Sequence, residues 1–172
     1  GASSNSEYGR ISLENYVQRT YLQRVIEAAN NRLAIMTDSQ FVLKTKSDKK
    51  FKKNDYLDLE VTDLYTGKDR DVKSLSGGEK FMTSLALALG FSDVIQQDAG
   101  GIQLDSMFID EGFGTLDSET LEQALRLLDQ LSTNSNTLVG IISHVEELKN
   151  RIPQQIVVSK DLNGSSLEVV IK

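Results

Sequence analysis

Three segments that follow one another within residues 74–144 constrain this chain more than anything else in it: Ser74-Leu-Ser-Gly-Gly-Glu-Lys80, Met107-Phe-Ile-Asp-Glu-Gly-Phe-Gly-Thr-Leu-Asp117 and Ile141-Ile-Ser-His144. The first is a pair of glycines opening a helix. The second is an apolar strand that ends in two carboxylates, and the third is an apolar strand that ends in the only histidine. Short continuous apolar runs such as 107–109 and 137–142 suit central parallel strands covered on both faces. In an α/β sheet, charge placed directly after such a strand falls where ligands bind. Leu121, Ala124, Leu125, Leu128 and Leu131 form a helical stripe between the two runs and supply the crossover of a βαβ unit.

The remaining segments support this core. Val17, Tyr21, Val25, Ala29, Leu33 and Met36 recur at spacings of three and four, widened by Leu22 and Ile26, and predict one long amphipathic helix over 12–36. Ser12 caps its start, the pattern fades at Asn30-Asn31, and no sustained heptad is present. Residues 41–46 and 56–65 alternate as half-buried strands, and 63–71 reads as a turn-rich connection. Residues 77–96 form a second helix, apolar almost all round and therefore expected to be buried. After Pro153, residues 156–159 and 167–171 read as strands joined by a turn centred on Asn163-Gly164. The pattern is α/β, an early antiparallel ribbon followed by a parallel core.

Six lysines, Lys44, Lys46, Lys49, Lys50, Lys52 and Lys53, crowd ten residues between the first two strands. They suit either DNA phosphates, with a salt-dependent affinity, or a solvated hairpin tip. A net charge of -6 argues against a wholly basic nucleic-acid module. With 172 residues, 39% of them hydrophobic, one domain is expected, and without cysteine a thiolate metal site is impossible. No apolar run approaches the roughly 20 residues that span a bilayer, which makes a cytoplasmic, non-membrane protein the default. Residues 1–10 read as a tag or linker remnant, and 11–172 as the folded unit.

The chemistry follows from residue types. Ser76 and Glu79 fit a capping box, with glycines at the next two positions after the serine. Each glycine costs a helix about 1 kcal/mol relative to alanine, a cost explained if the backbone must touch a ligand. Bare amides at a helix N-terminus bind anions. Adjacent carboxylates on a strand point in different directions and divide the work: Asp110 holds Mg²⁺ through its water shell, and Glu111 polarises a water for attack on a terminal phosphate. Asp117 is placed to cap the next helix, and His144 stands relative to its strand as Asp110 does to its own. A phosphate loop is missing. Gly67-Lys68 comes nearest, but Thr62 stands where the first glycine belongs and Asp69 follows the lysine. The chain alone therefore cannot cradle a nucleotide's phosphates.

These segments resemble the C-terminal half of an ATP-binding-cassette ATPase head. Leu75-Ser-Gly-Gly-Glu79 is similar to the signature motif, 107–111 to the Walker B strand, Gly114-Thr-Leu-Asp117 to the D-loop, and His144 to the switch histidine. Within that superfamily the second segment, the Leu85-to-Asp93 run and the opening Ile11-Ser-Leu-Glu-Asn-Tyr-Val17 helix resemble the SbcC family, ATPase subunits of a bacterial nuclease. The resemblance implies a RecA-like core entered by a long helix from a coiled coil, with the Walker A motif in a separate N-terminal lobe. It implies two heads closing on two ATP molecules with Mg²⁺, and no nucleotide bound to this lobe alone. By it, Glu111 is the general base and His144 positions the γ-phosphate. Ser76, Gly77 and Gly78, with Glu79, serve the opposite pocket, and Asp117 communicates between pockets. The implied partners are the Walker A lobe, a second head, an SbcD-type nuclease subunit and double-stranded DNA. No clustered His and Asp suggests a two-metal nuclease site in this chain. Three rivals differ at named residues. A transporter domain usually has proline where Gly112 stands, and a chromosome-organising SMC head commonly has an Asp-Ala pair in the loop of Phe113-Gly-Thr115. The third is a lysine-rich DNA-binding module with relic ATPase motifs.

Overall fold

At the crossing of the two long helices there is no room for a side chain. The computed structural model describes residues 13–46, 57–100, 105–135, 137–162 and 164–172. Helix α1 (Leu13–Met36) and helix α2 (Gly77–Asp98) meet at Gly90. A Cβ added there would stand 2.7 Å from the Ala29 nitrogen and 2.7 Å from the Val25 carbonyl oxygen. Backbone thus lies on backbone. The seam is closed by Ile26, Ala29, Leu33, Met82, Ala86 and Leu89, all buried, and flanked by Arg24–Asp98 and Arg32–Asp93 ion pairs. The apolar stripe expected from Val17 is buried only from Val25 onward, and Leu13, Tyr16 and Val17 are exposed. Nor is α2 covered all round: Phe91 and Ile95 face outward, although the Phe91 ring still meets the edge of Tyr21.

Strands β1 (Phe41–Thr45), β2 (Leu59–Asp63) and β3 (Lys68–Asp71) form an antiparallel sheet in that order. Phe41, Leu43 and Val61 bury its inner face. The sequence reading placed 68–71 in a connection, and the structure corrects it. Lys68-Asp-Arg-Asp71 has no apolar alternation to announce a strand; it is held by the ladder to residues 60–63, with Asp69 bonded to Lys44 and Thr62. The β2 strand stops at Asp63, short of 65, because its carboxylate accepts the amides of Tyr65 (2.9 Å) and Thr66 (3.2 Å) and folds a turn. Asn30, read as the fading of a helix, has a positive role: its amide donates to the Leu43 carbonyl (2.9 Å) and accepts from the Leu43 N–H (2.8 Å). It closes the outer edge of β1, which a sheet would otherwise leave open to pairing.

Strands β4 (Ser106–Asp110) and β5 (Leu138–Ile142) are parallel, joined by helix α3 (Ser118–Ser135), as the apolar runs and stripe predict. Their inner residues Met107, Ile109, Val139 and Ile141 pack on the core. The expectation that both faces are covered fails: among the described residues nothing covers Phe108, Leu138 and Ile142, which are 68%, 64% and 54% exposed. A short helix α4 (Glu146–Arg151), not foreseen, plugs Leu148 into the core. The chain ends in an antiparallel hairpin, β6 (Gln154–Asp161) and β7 (Gly164–Ile171), longer than expected. Gly164 pairs with Asp161 and is a strand residue rather than a turn centre; Asn163 lies outside the described residues. No helix among the described residues is long and apolar enough to cross a membrane.

Gly90→Ala separates propensity from packing. Helix propensity alone would stabilise the variant by about 1 kcal/mol, whereas overpacking costs about 1–3 kcal/mol. The urea or thermal midpoint is expected to fall; an unchanged or raised midpoint would show that the helices can part without cost.

Candidate nucleotide half-sites

Parallel pairing brings the ends of β4 and β5 side by side, and the ladder continues one step past β4, with the Glu111 N–H donating to the Ile142 carbonyl at 2.9 Å. There the strand geometry stops. Glu111 adopts φ 60 and Gly112 φ 97. The two acids therefore part because Glu111 leaves the strand, and not through the strand alternation read from the sequence. A left-handed conformation in a residue with a side chain costs on the order of 1–3 kcal/mol and persists only where its surroundings enforce it. Here it delivers the carboxylate to the imidazole beyond β5: His144 Nδ1 lies 3.2 Å from Glu111 Oε1. Both side chains are open to solvent. The structure thus unites Glu111 and His144, with Asp110 one residue away at the strand end.

What enforces the turn comes from α2. A Cβ on Gly112 would stand 2.4 Å from the Phe81 ring. The same ring packs at 4.7 Å on Phe113, which is buried. The loop then folds into a 3-10 turn, in which the Thr115 hydroxyl donates to the Gly112 carbonyl at 3.0 Å. Asp117 accepts the amides of Glu119 (3.1 Å) and Thr120 (3.0 Å) and the Thr120 hydroxyl (2.9 Å), the helix cap read from the sequence. The Thr120 amide leads these bonds in holding the Asp117 carboxyl below its ordinary range.

At the start of α2 the predicted capping box is complete. The Glu79 N–H donates to Ser76 Oγ at 3.3 Å, and the Ser76 N–H donates to Glu79 Oε2 at 2.6 Å. Arg70 of β3 adds a fork onto both Glu79 oxygens, at 3.0 and 3.2 Å. Burial pushes the Glu79 carboxyl up, but the Arg70 and Ser76 bonds outweigh it and hold it below the usual carboxylate range. Glu79 and Asp117 therefore contribute stability that is present above their unfolded pKa, about 4, and lost as pH falls through the lower folded values. The two glycines differ. A Cβ at Gly77 would meet Thr115 Cβ at 3.2 Å, so packing within the chain already favours glycine there. At Gly78 nothing comes closer than 3.5 Å, and ligand approach remains the better reason for its lack of a side chain.

A cleft of about 500 Å³ runs between α2, at Phe81, Leu85 and Ala88, and the free edge of β4, and reaches Asp110 and Glu111. Among the described residues no three His, Cys, Asp or Glu gather as a metal cage. A single strand-end carboxylate, with its neighbour turned to a histidine, fits a cation that keeps most of its waters. Of the lysines, Lys44 bonds Asp69 at 2.8 Å and Lys46 bonds Asp71 at 3.4 Å; Lys49, Lys50, Lys52 and Lys53 lie outside the described residues. Arg70 was missed because its segment was read as a connection. Phe81 was read only as one apolar residue of α2; the glycine at 112 was the available clue that a bulky neighbour sits above it.

Gly112→Ala is expected to cost about 2 kcal/mol or more, from backbone and overpacking together. Gly100→Ala, at φ 73 with nothing within 4 Å, controls for the backbone alone. Equal losses in denaturant midpoint would remove the ring contact as a cause.

Comparison with known proteins agrees with this geometry. The family model described as SbcC/RAD50-like, Walker B motif, matches residues 52–130. The chain is 55% identical over 144 residues to the SbcC subunit of the SbcCD nuclease of Staphylococcus haemolyticus, covering 84% of this chain and 14% of that protein. It is 51% identical over 156 residues to the same subunit of Staphylococcus aureus, covering 91% and 15%. It thus spans about one seventh of the length of these relatives. A structure solved in work on ATP-driven dimerization and DNA-stimulated activation of SMC ATPases superposes with a TM-score of 0.68 at 16% identity, covering 91% of this chain and 89% of that one. The SMC head domain from Thermotoga maritima gives 0.60 at 19%, covering 91% and 51%. At such identities these likenesses show the fold alone, the mixed helix-and-sheet fold of an SMC-type ATPase head. The ordered motifs, the half-sites built from them and the similarity to SbcC over most of the chain agree, and the chain belongs to the SbcC/RAD50-like family as the C-terminal ATPase lobe of an SbcC-type head.

Proposed function

We propose that this lobe supplies part of two ATP pockets and completes neither. The observation that carries the reading is the Glu111–His144 contact at 3.2 Å, built at the ends of two parallel strands by a strained backbone. In its own pocket, Glu111 accepts a proton from the water whose oxygen attacks the terminal phosphorus. The bond from that phosphorus to the bridging oxygen breaks, leaving ADP and inorganic phosphate. His144 holds the Glu111 carboxylate and faces the γ-phosphate, and Asp110 holds Mg²⁺ through water. Bound Mg²⁺ offsets phosphate charge. For the pocket of a second head, Ser76 and the Gly77 and Gly78 amides form the anion site at the start of α2, shaped by Glu79. Asp117 and the loop at Thr115 lie between the two half-sites and carry the state of one to the other.

The uncovered face at Phe108, Leu138 and Ile142 supports docking of a Walker A lobe of the same protein. The naming of the relatives as part of the SbcCD nuclease supports a cytoplasmic role in DNA repair, with head closure governing double-stranded DNA and an SbcD-type nuclease subunit. The SMC-like reading has only the shared fold behind it.

In the full-length protein, Glu111→Gln is expected to lower ATP turnover by ~10²–10⁴-fold while ATP binding persists and ATP-bound dimers accumulate on a sizing column. Unchanged turnover would return the chain to the reading as a DNA-binding module with relic motifs. The purified chain by itself is expected to show no robust Mg-ATP hydrolysis, and robust hydrolysis would refute the half-site reading.

A further inference from the structure

The chemistry proposed above does not use Arg70, yet the structure builds a precise mount for it. On β3 it stands opposite Val61, which is fully buried on β2, and it is the one β3 residue that is not exposed. Its guanidinium reaches across to the start of α2. Nη1 donates to Glu79 Oε1 at 3.0 Å, and Nη2 donates both to Glu79 Oε2 at 3.2 Å and to the Ser74 carbonyl at 3.3 Å. Glu79 Oε2 in turn accepts from the Ser76 N–H. One planar fork therefore grips the turn on both sides of Ser76, Gly77 and Gly78, at the carbonyl before them and the carboxylate after them. Only arginine offers that rigid two-pronged geometry; lysine carries a point charge on a flexible stem.

Stability does not account for such an arrangement. Partly exposed ion pairs contribute about 0–1 kcal/mol, and α2 is already anchored by its packing on α1. What the fork fixes is the direction of the hydroxyl and the two amides that follow Leu75, two of which belong to glycines with no side chain to restrain them. We propose that Arg70 is a positioning residue: it holds turn 74–79 in the shape in which Ser76, Gly77 and Gly78 receive a terminal phosphate presented by a second copy of the head. The proposal rests on the reading of Ser76–Gly78 as a half-site that acts across the dimer. Its distinctive consequence is that loss of Arg70 is felt in the partner's pocket and not in the pocket of the chain that carries it.

The test uses the full-length protein in a Glu111→Gln background, where closed dimers accumulate and can be titrated with ATP. Arg70→Met keeps the stem and removes the fork. It is expected to raise the ATP concentration needed for dimerisation by about tenfold, with Arg70→Lys recovering only part of the loss. ATP binding to dilute, monomeric protein and the thermal midpoint are expected to stay at the parent values. Ser76→Arg, which blocks the turn outright, is expected to abolish dimerisation. If Ser76→Arg leaves dimerisation intact, the cross-dimer reading itself fails and takes the proposal with it. If Ser76→Arg blocks closure while Arg70→Met closes like the parent, only the role of Arg70 is overturned. A parallel loss of thermal stability and monomer binding in Arg70→Met would make it a structural residue and also overturn the proposal.

Discussion

The candidate site depends on an aromatic ring seated where no side chain stands. Phe81 belongs to α2, whose first residues form the anion-binding turn, and it lies on Gly112 and against Phe113, in the loop that follows the acidic end of β4. Through that ring and the contact of Gly77 with Thr115, the turn and the acidic loop form one packed unit. The left-handed Glu111 is sustained within it: the ladder bond to Ile142 fixes its amide on one side, and the ring above Gly112 fixes the chain on the other. A strained residue held from both sides is pre-organised, and the imidazole of His144 meets its carboxylate without further movement of the backbone.

Much of this was legible in the sequence, for physical reasons that also explain what was not. The capping box at Ser76 and Glu79, the helix cap at Asp117 and the strand ends at Asp110 and His144 are local features, and each appears where its residues predict. The strand Lys68–Asp71 is held by hydrogen bonds and ion pairs to residues distant in the chain, so a local pattern of charges gave no sign of it. Asn30 looked like a weak helix position because its partners, the two backbone groups of Leu43, come from another element. An apolar run such as 107–109 tells a strand that it must be covered, but not by which chain; the exposure of Phe108, Leu138 and Ile142 is invisible to periodicity. The turn at Glu111 left a single trace, the glycine that follows it.

Charge is arranged locally in a chain whose net charge is negative. Lys44 is raised above its ordinary pKa chiefly by its bond to Asp69, which is lowered in return. On this ribbon the described lysines are neutralised by the neighbouring strand, and β3 brings two acids to them and one arginine to Glu79. A strand of four alternating charges thus serves as an electrostatic connector between the ribbon and α2.

The grip of Asn30 on β1 has a mechanical side. Because one side-chain amide holds both backbone groups of Leu43, α1 cannot turn about its own axis without breaking two hydrogen bonds at once. It cannot slide along α2 either, since Ala29 and Val25 would ride over Gly90, where the backbones already touch. Rotation is blocked by polar bonds and translation by steric contact. The exposed end of α1 at Leu13 and Tyr16 is the free end of a shaft seated in a keyed socket, and torque applied there passes undivided into the ribbon and the helix that carries the anion-binding turn.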